Sequence, residues 1–364
     1  MAMKLHADHI GSLLRPPELI QARKDLAASK ITAEELRKNE DEAVLKALDL
    51  QKQAGIEIFT DGEYRRETFL DPLSNGIDGL TTQPAPPDAR GRFWQGPHAA
   101  VANATIEEFG TFLNQVVAGK LRRTGRLTGG EAAFMAKHSP GPWKITMPGP
   151  MLRAAQMYRP GLSDKAYASA AELSRDMASI MAEEVRDLAK EGVSYLQLDS
   201  LLYVRPQSAE ELAASIESDN IVIDTAKAAG LTVGLHMCRG NNRSSWLSEG
   251  SYEPCAEQAF NKLRADRFLL EYDTERAGGF EPLRFMPRDK VVVLGLVSSK
   301  EPPLESEDVL RRRIDEAAKY VPLENLAISP QCGFASSMLG NLLTWDDQRR
   351  KLELIVETAR KVWG

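Results

Sequence analysis

The chain has 364 residues, 43% of them hydrophobic and 27% charged, with a formal net charge of −6. That length suits one α/β barrel with insertions, and the mild acidic excess argues against a nucleic-acid or anionic-membrane partner. No apolar run is long enough to cross a bilayer, the opening residues carry no signal-peptide pattern, and three cysteines do not make a disulfide framework; the expected setting is a reducing cytoplasm.

In chain order, short apolar, β-branched stretches at 5–10, 55–60, 143–148, 194–199, 231–236, 267–272, 290–297 and 326–330 predict eight strands. Several are almost continuously hydrophobic, as parallel strands covered on both faces are. Between them, 32–54, 167–190, 208–229, 253–265, 305–320 and 345–362 carry apolar residues at helical spacing. Gly55, Gly192 and Gly230 stand where helix C-caps belong. Strand and helix alternating eight times predict a single (β/α)8 TIM barrel over 1–364, with a doubly wound open sheet as the second choice. Residues 75–142 break the rhythm and read as an elaborated loop after the second strand, containing a helical piece at 102–119 and room for a hairpin.

The strand ends carry the chemistry. His236 and Cys238 end the fifth predicted strand, and residues two apart in extended chain share a face. Glu271 ends the sixth and Cys332 follows the eighth. The C-terminal strand ends of a barrel converge on one mouth, so these four residues are expected to meet. Two thiolates, an imidazole and a carboxylate suit Zn²⁺, whereas Mg²⁺ and Ca²⁺ prefer oxygen donors. A lone HxC is weak, and a single buried cysteine is more often a small hydrophobe; Cys255, at the start of a predicted helix, is read that way. His9 and Ser12 follow the first strand, Asp61 and Glu63 the second, with Arg65 and Arg66 close behind, and Asp199 ends the fourth. Asp61 has a bland alternative as a turn cap. Trp94, Trp143 and Trp246 are either packing residues or stacking platforms for a planar ligand.

HMC at 236–238, LLEYD around Glu271 and SPQCG around Cys332, together with HADHIGSLLRP at 6–16, TDGE at 60–63 and LQLD at 196–199, resemble the cobalamin-independent methionine synthase family over essentially the whole chain. The length matches one family barrel, the short stand-alone form. The resemblance implies a zinc-dependent methyltransferase in which His236, Cys238, Glu271 and Cys332 hold the metal. In that reaction the thiolate of homocysteine takes a methyl group from methyltetrahydrofolate or from a methylcorrinoid on a partner protein. It further implies that Ser12 binds the substrate carboxylate and that Glu63 and Asp199 hold its ammonium. Asp199 is followed by Ser200 where the family usually has glutamate, and GLVSSKEP replaces its histidine-serine-proline segment. Lys300 stands nearest that histidine's place, so Lys300 and His9 are the candidate catalytic residues. The departure turns expectation away from a folate polyglutamate. Besides a non-catalytic interaction protein, which would leave the polar strand ends without a purpose, two alternatives remain. One is a zinc alkyltransferase or lyase acting on another thiol or thioether, with Arg15 and Arg65 as cations for a sulfonate-bearing thiol. The other is a metal-free decarboxylase of the tetrapyrrole class, against which the ligand set counts.

Overall fold

The computed structural model describes residues 5–84, 94–105 and 114–364. Its strands are β1 (Ile77–Thr82), β2 (Gln115–Arg123), β3 (Lys144–Pro148), β4 (Tyr195–Ser200), β5 (Thr232–Met237), β6 (Arg267–Glu271), β7 (Val291–Val297) and β8 (Leu326–Pro330). The last six form one parallel sheet in sequence order, β3 to β8. Consecutive parallel neighbours require a crossover each, and long helices supply most of them. The helix Ala33–Ala54 starts in a capping box, the Thr32 hydroxyl accepting from the Glu35 N–H at 3.2 Å, and ends on Gly55 with φ 82°.

The six expected strands from 143 onward are present within a residue at either end. The two N-terminal ones are not regular strands. Residues 5–10 touch the sheet through a parallel bridge from Ala7 to Ile328, and 55–60 through one from Phe59 to Trp143. Both flank the sheet in the places of a first and second stave. The Leu13 N–H donates to the Gly62 carbonyl at 3.1 Å, and the Thr60 hydroxyl to the Gly11 carbonyl at 2.7 Å. The arrangement is barrel-like, a six-stranded parallel sheet with its helices, and these two short segments meet each other mainly beyond their extended parts.

The expected helix at 102–119 is corrected. A helix covers Ala99–Ala104, residues 106–113 lie outside the described residues, and Gln115–Arg123 is the strand β2, paired antiparallel with β1. An available edge strand overrides weak local helical spacing in a segment rich in valine. The helix Glu131–His138 completes the insertion.

Side-chain alternation along β4 stacks the interior in levels. At the lowest level Tyr195 meets Asp8, which pairs with Lys144 at 2.7 Å and Arg267 at 3.4 Å, all fully shielded from water. Ile10, Leu269, Val293 and Ala327 form an apolar layer. Gln197 rises through it, accepting from Lys144 at 2.8 Å and donating to Asp199 at 2.8 Å. The charged floor is a departure from an apolar core. Its two cations are offset by Asp8 and by carbonyls of Leu5 and His9, as buried charge requires.

Outside the sheet, Asp219 on the helix Ala209–Ala228 is buried and accepts a hydrogen bond from the Tyr203 hydroxyl at 2.7 Å. Burial pushes its carboxyl up to about 7. A raised folded-state value means that its contribution to stability is present in acid and is lost as pH climbs through 7. Asp219→Asn, a neutral isostere, is therefore expected to raise Tm by roughly 2–5 °C at pH 8 and to change it much less at pH 4. An equal shift at both pH values would show that Asp219 is not buried as a neutral acid.

Candidate metal centre

Four side chains meet at the C-terminal ends of the sheet. His236 lies near the end of β5 and Cys238 one residue past it, Glu271 is the last residue of β6, and Cys332 follows β8. All four are buried, and one ligand atom from each lies within 4.8 Å of the others. The two Sγ atoms are 3.5 Å apart. The turn carrying Cys332 depends on Gly333, where a Cβ would come within 2.0 Å of the Ser12 hydroxyl oxygen.

The ligand atoms are aimed by their surroundings. His236 Nδ1 faces the Leu269 carbonyl at 3.0 Å; with the proton there, the lone pair sits on Nε2. Glu271 Oε1 accepts from the Arg239 backbone N–H at 2.7 Å. That leaves His236 Nε2 and Glu271 Oε2 buried with no hydrogen-bond partner. Buried polar atoms without partners are rare, and these two face a pair of thiols. A divalent soft-to-borderline cation satisfies all four donors, so the residues fit zinc.

Electrostatics follow from the same packing. The hydrogen bond from Cys238 holds the Cys332 thiol well below its ordinary value against the cost of burial, with His236 assisting, and Cys238 is pushed up in turn. Burial opposes ionisation of Glu271, but Lys300, Arg276 and Arg239 outweigh it and keep the carboxyl below its usual range. Lys300 is itself buried, its ammonium donating to Asn241 Oδ1 at 2.8 Å and the Gly240 carbonyl at 3.3 Å.

Glu63 and Asp199 stand beside the cluster. Burial raises the Asp199 carboxyl to about 7, opposed by His236 and reinforced by Glu63. Glu63 is raised by burial too, with Arg66 opposing. Its Oε1 accepts from the Thr146 hydroxyl at 2.7 Å, Arg66 lies 3.8 Å away, and Oε2 has no partner. Arg66 is gripped in turn by Glu131 at 2.6 Å.

One expected role changes. His9 does not reach the cluster. Its ring faces the Ile58 carbonyl at 3.0 Å and the Gln51 side chain, because the alternating backbone turns Asp8 and Ile10 inward and His9 outward. Burial and Lys144 drop it to about 4, a neutral packing histidine. For Trp143 and Trp246 the packing alternative holds. Trp143 is buried at the Phe59 bridge, and Trp246 has Arg276 4.7 Å over its ring with the Gly96 backbone packed against the indole. Asp61 caps the turn, accepting from the Glu63 N–H at 2.9 Å. Cys255 is buried against the Tyr252 carbonyl, away from the cluster.

Sequence reading missed Thr146 and Gln197, which donate to the two carboxylates, and Glu131, which grips Arg66. Gln197 was within reach, since it shares a face with Asp199 two residues on. Glu131 sits in the insertion and gave no signal.

Residues 149–361 match the family described as cobalamin-independent synthase, catalytic domain. The chain is 35% identical to the uncharacterized protein YxjH of Bacillus subtilis over 98% of this chain and 94% of that one. It is 25% identical to the methionine synthase of Pyrococcus abyssi, over 89% and 84% of the respective chains. Among solved structures, the putative vitamin-B12-independent methionine synthase of Listeria monocytogenes superposes with a TM-score of 0.74 at 28% identity, covering 100% of this chain and 99% of that one. No helix among the described residues is long and apolar enough to cross a membrane. With a site of metal-ligand type at the strand ends and these likenesses along its whole length, the chain belongs to the cobalamin-independent methionine synthase catalytic-domain family.

Proposed function

We propose that this chain is a zinc-dependent methyltransferase that moves a methyl group from methyltetrahydrofolate or a methylcorrinoid to the thiol of homocysteine, on a closed (β/α)8 frame with residues 5–10 and 55–60 as its first two staves. The observation that carries this reading is the juxtaposition of four buried donor atoms within 4.8 Å with two carboxylates, Glu63 and Asp199, one of which keeps an unpartnered oxygen. His236, Cys238, Glu271 and Cys332 would hold the metal. Bound zinc supplies a lowered thiol pKa, so that a thiol substrate is present as thiolate at neutral pH.

The chain's own residues do the rest. Glu63 Oε2 and Asp199 give an ammonium two buried carboxyl acceptors; burial favours their neutral forms, and a bound cation would favour the ionised ones, where charge-assisted hydrogen bonds are strong. Ser12 offers its hydroxyl beside Gly333 to the substrate carboxylate. In the transfer, the new S–CH₃ bond forms as the donor's bond to the methyl breaks. Lys300, a fixed cation close to Glu271 and Cys238, offsets negative charge in the site.

A zinc alkyltransferase or lyase acting on a different thiol is the second reading. Its sulfonate-bearing form needs free cations, and both candidates are engaged. The Arg15 guanidinium donates to the carbonyls of Ala335, Ser337, Glu63 and Arg66, and Arg65 pairs with Asp41 and Glu40. Zinc-edge X-ray absorption of the zinc-loaded protein, with and without homocysteine, separates the readings. An additional zinc–sulfur contact is expected with homocysteine. A zinc environment unchanged by it sinks the homocysteine assignment and favours another thiol.

A further inference from the structure

The two strands that carry three of the four ligand-type residues pair through His236 and stop just short of the other two. The ladder between β5 and β6 ends at Met237 and Leu270, so Cys238 and Glu271 lie beyond its last rung. The phenol of Tyr252 occupies the next position. Its hydroxyl donates to the Met237 carbonyl at 3.1 Å and accepts from the Glu271 N–H at 2.8 Å, standing between two groups that a continued ladder would place closer together. Tyr252 is wholly buried and begins the helix Glu253–Lys262, so the hydroxyl is anchored from outside the sheet.

Arg239 locks the phenol. This residue directly follows Cys238, and its guanidinium folds back over the Tyr252 ring at 4.2 Å while donating to the Tyr252 oxygen at 2.8 Å and the Glu271 carbonyl at 3.0 Å. Further bonds to the Gly250 carbonyl at 2.8 Å and the Ala277 carbonyl at 3.3 Å leave it little freedom. Its own backbone N–H takes Glu271 Oε1, which leaves Oε2 without a hydrogen bond, 3.6 Å from the Arg276 guanidinium. One arginine and one tyrosine thus fix the backbone of both strand ends and choose the carboxylate oxygen that is presented.

We propose that Tyr252, held by Arg239, is a positioning residue for the metal centre, its hydroxyl acting as the spacer that sets the separation of the β5 and β6 ends and the presentation of Glu271. The inference rests on the metal-binding reading of the cluster. Without the hydroxyl, the Met237 carbonyl and the Glu271 N–H either pair directly, which draws Glu271 toward Met237, or stay unsatisfied, which leaves the end of β6 unanchored beside Cys238. Groups that orient metal ligands typically change metal affinity by about 10–100-fold when removed.

The test uses the full chain, with Zn²⁺ affinity measured by chelator competition and ligand geometry by the optical spectrum of Co²⁺ bound in place of zinc. Tyr252→Phe is expected to weaken zinc about 10–100-fold and to shift the cobalt bands. Phe260→Leu is the control. It truncates a buried ring 6.5 Å from Tyr252 that packs edge-on against Phe268 of β6, destabilising the same region while leaving the hydrogen bonds at the Met237 carbonyl and the Glu271 N–H in place. It is expected to lower Tm while keeping the parent's zinc affinity and cobalt spectrum. Parental affinity and spectrum in Tyr252→Phe overturn the proposal, as does an equal loss of zinc in Phe260→Leu. A parent protein that takes up neither metal overturns the metal-binding reading itself, a result separable from the other two.

Discussion

Cys332→Ala is expected to cost zinc affinity about a hundredfold or more, so that dialysis against a weak chelator leaves the variant empty while the parent keeps its metal. Sites with four protein ligands bind zinc with about 10–16 kcal/mol, roughly 3 kcal/mol per ligand, and each 1.4 kcal/mol is a factor of ten. The Cys332 sulfur lies 3.5 Å from that of Cys238 and shares the cluster with His236 and Glu271, so its loss removes one of four converging donors. The turn around it does not depend on the sulfur. Asn241 donates to the Gly333 carbonyl at 2.6 Å and Ser299 to the same atom at 3.0 Å, so the loop keeps its place in the variant. Metal analysis after dialysis reads the outcome. Full zinc in Cys332→Ala would falsify the assignment of Cys332 as a ligand. Cys255→Ala should retain the metal, because its sulfur packs against a backbone carbonyl outside the cluster.

Glu63→Gln is expected to weaken binding of homocysteine to the zinc-loaded protein about 30–100-fold with zinc content unchanged, as measured by calorimetry. Truncating one partner of a buried charge pair costs about 2–5 kcal/mol, and glutamine, which retains the shape and one acceptor oxygen, belongs at the lower end. The substitution is mild for the fold, since the Thr146 hydroxyl can still donate to the amide oxygen as it does to Oε1 at 2.7 Å. Arg66 keeps Glu131 as its main partner. Equal thiol affinity in variant and parent would remove Glu63 from the ammonium site. Loss of zinc would show instead that Glu63 supports the metal residues and not the substrate.

The ligand-type residues were legible in the sequence because a barrel supplies the missing geometry. Once β5, β6 and β8 are recognised as strands, His236, Cys238, Glu271 and Cys332 all fall at C-terminal ends, and the fold brings such ends together. Glu63 was legible for the same reason. His9 was misplaced because the rule names the end of the strand and not the face. One residue of register decides between the interior and the helix layer, and Asp8 had already taken the interior. For Trp143 and Trp246 the sequence left packing and stacking open, since no local pattern tells a free indole from one covered by Arg276 and the Gly96 backbone.

By itself the sequence determined the alternation of strand and helix, the six parallel strands from residue 143 onward, and the chemical types gathered at their ends. Periodicity and caps are local, and the donor preference of a metal is a property of the side chains alone. Only the tertiary structure decided that residues 5–10 and 55–60 join the sheet by single bridges, that Gln115–Arg123 is a strand, and that a charged Asp8–Lys144–Arg267 floor lies beneath the apolar layer. It alone decided that the Tyr252 hydroxyl, bonded by Arg239, bridges the ends of β5 and β6. These are pairings between residues far apart in the chain, where a buried donor or acceptor takes whichever partner the packing brings within hydrogen-bonding distance, and no spacing in the sequence records that choice.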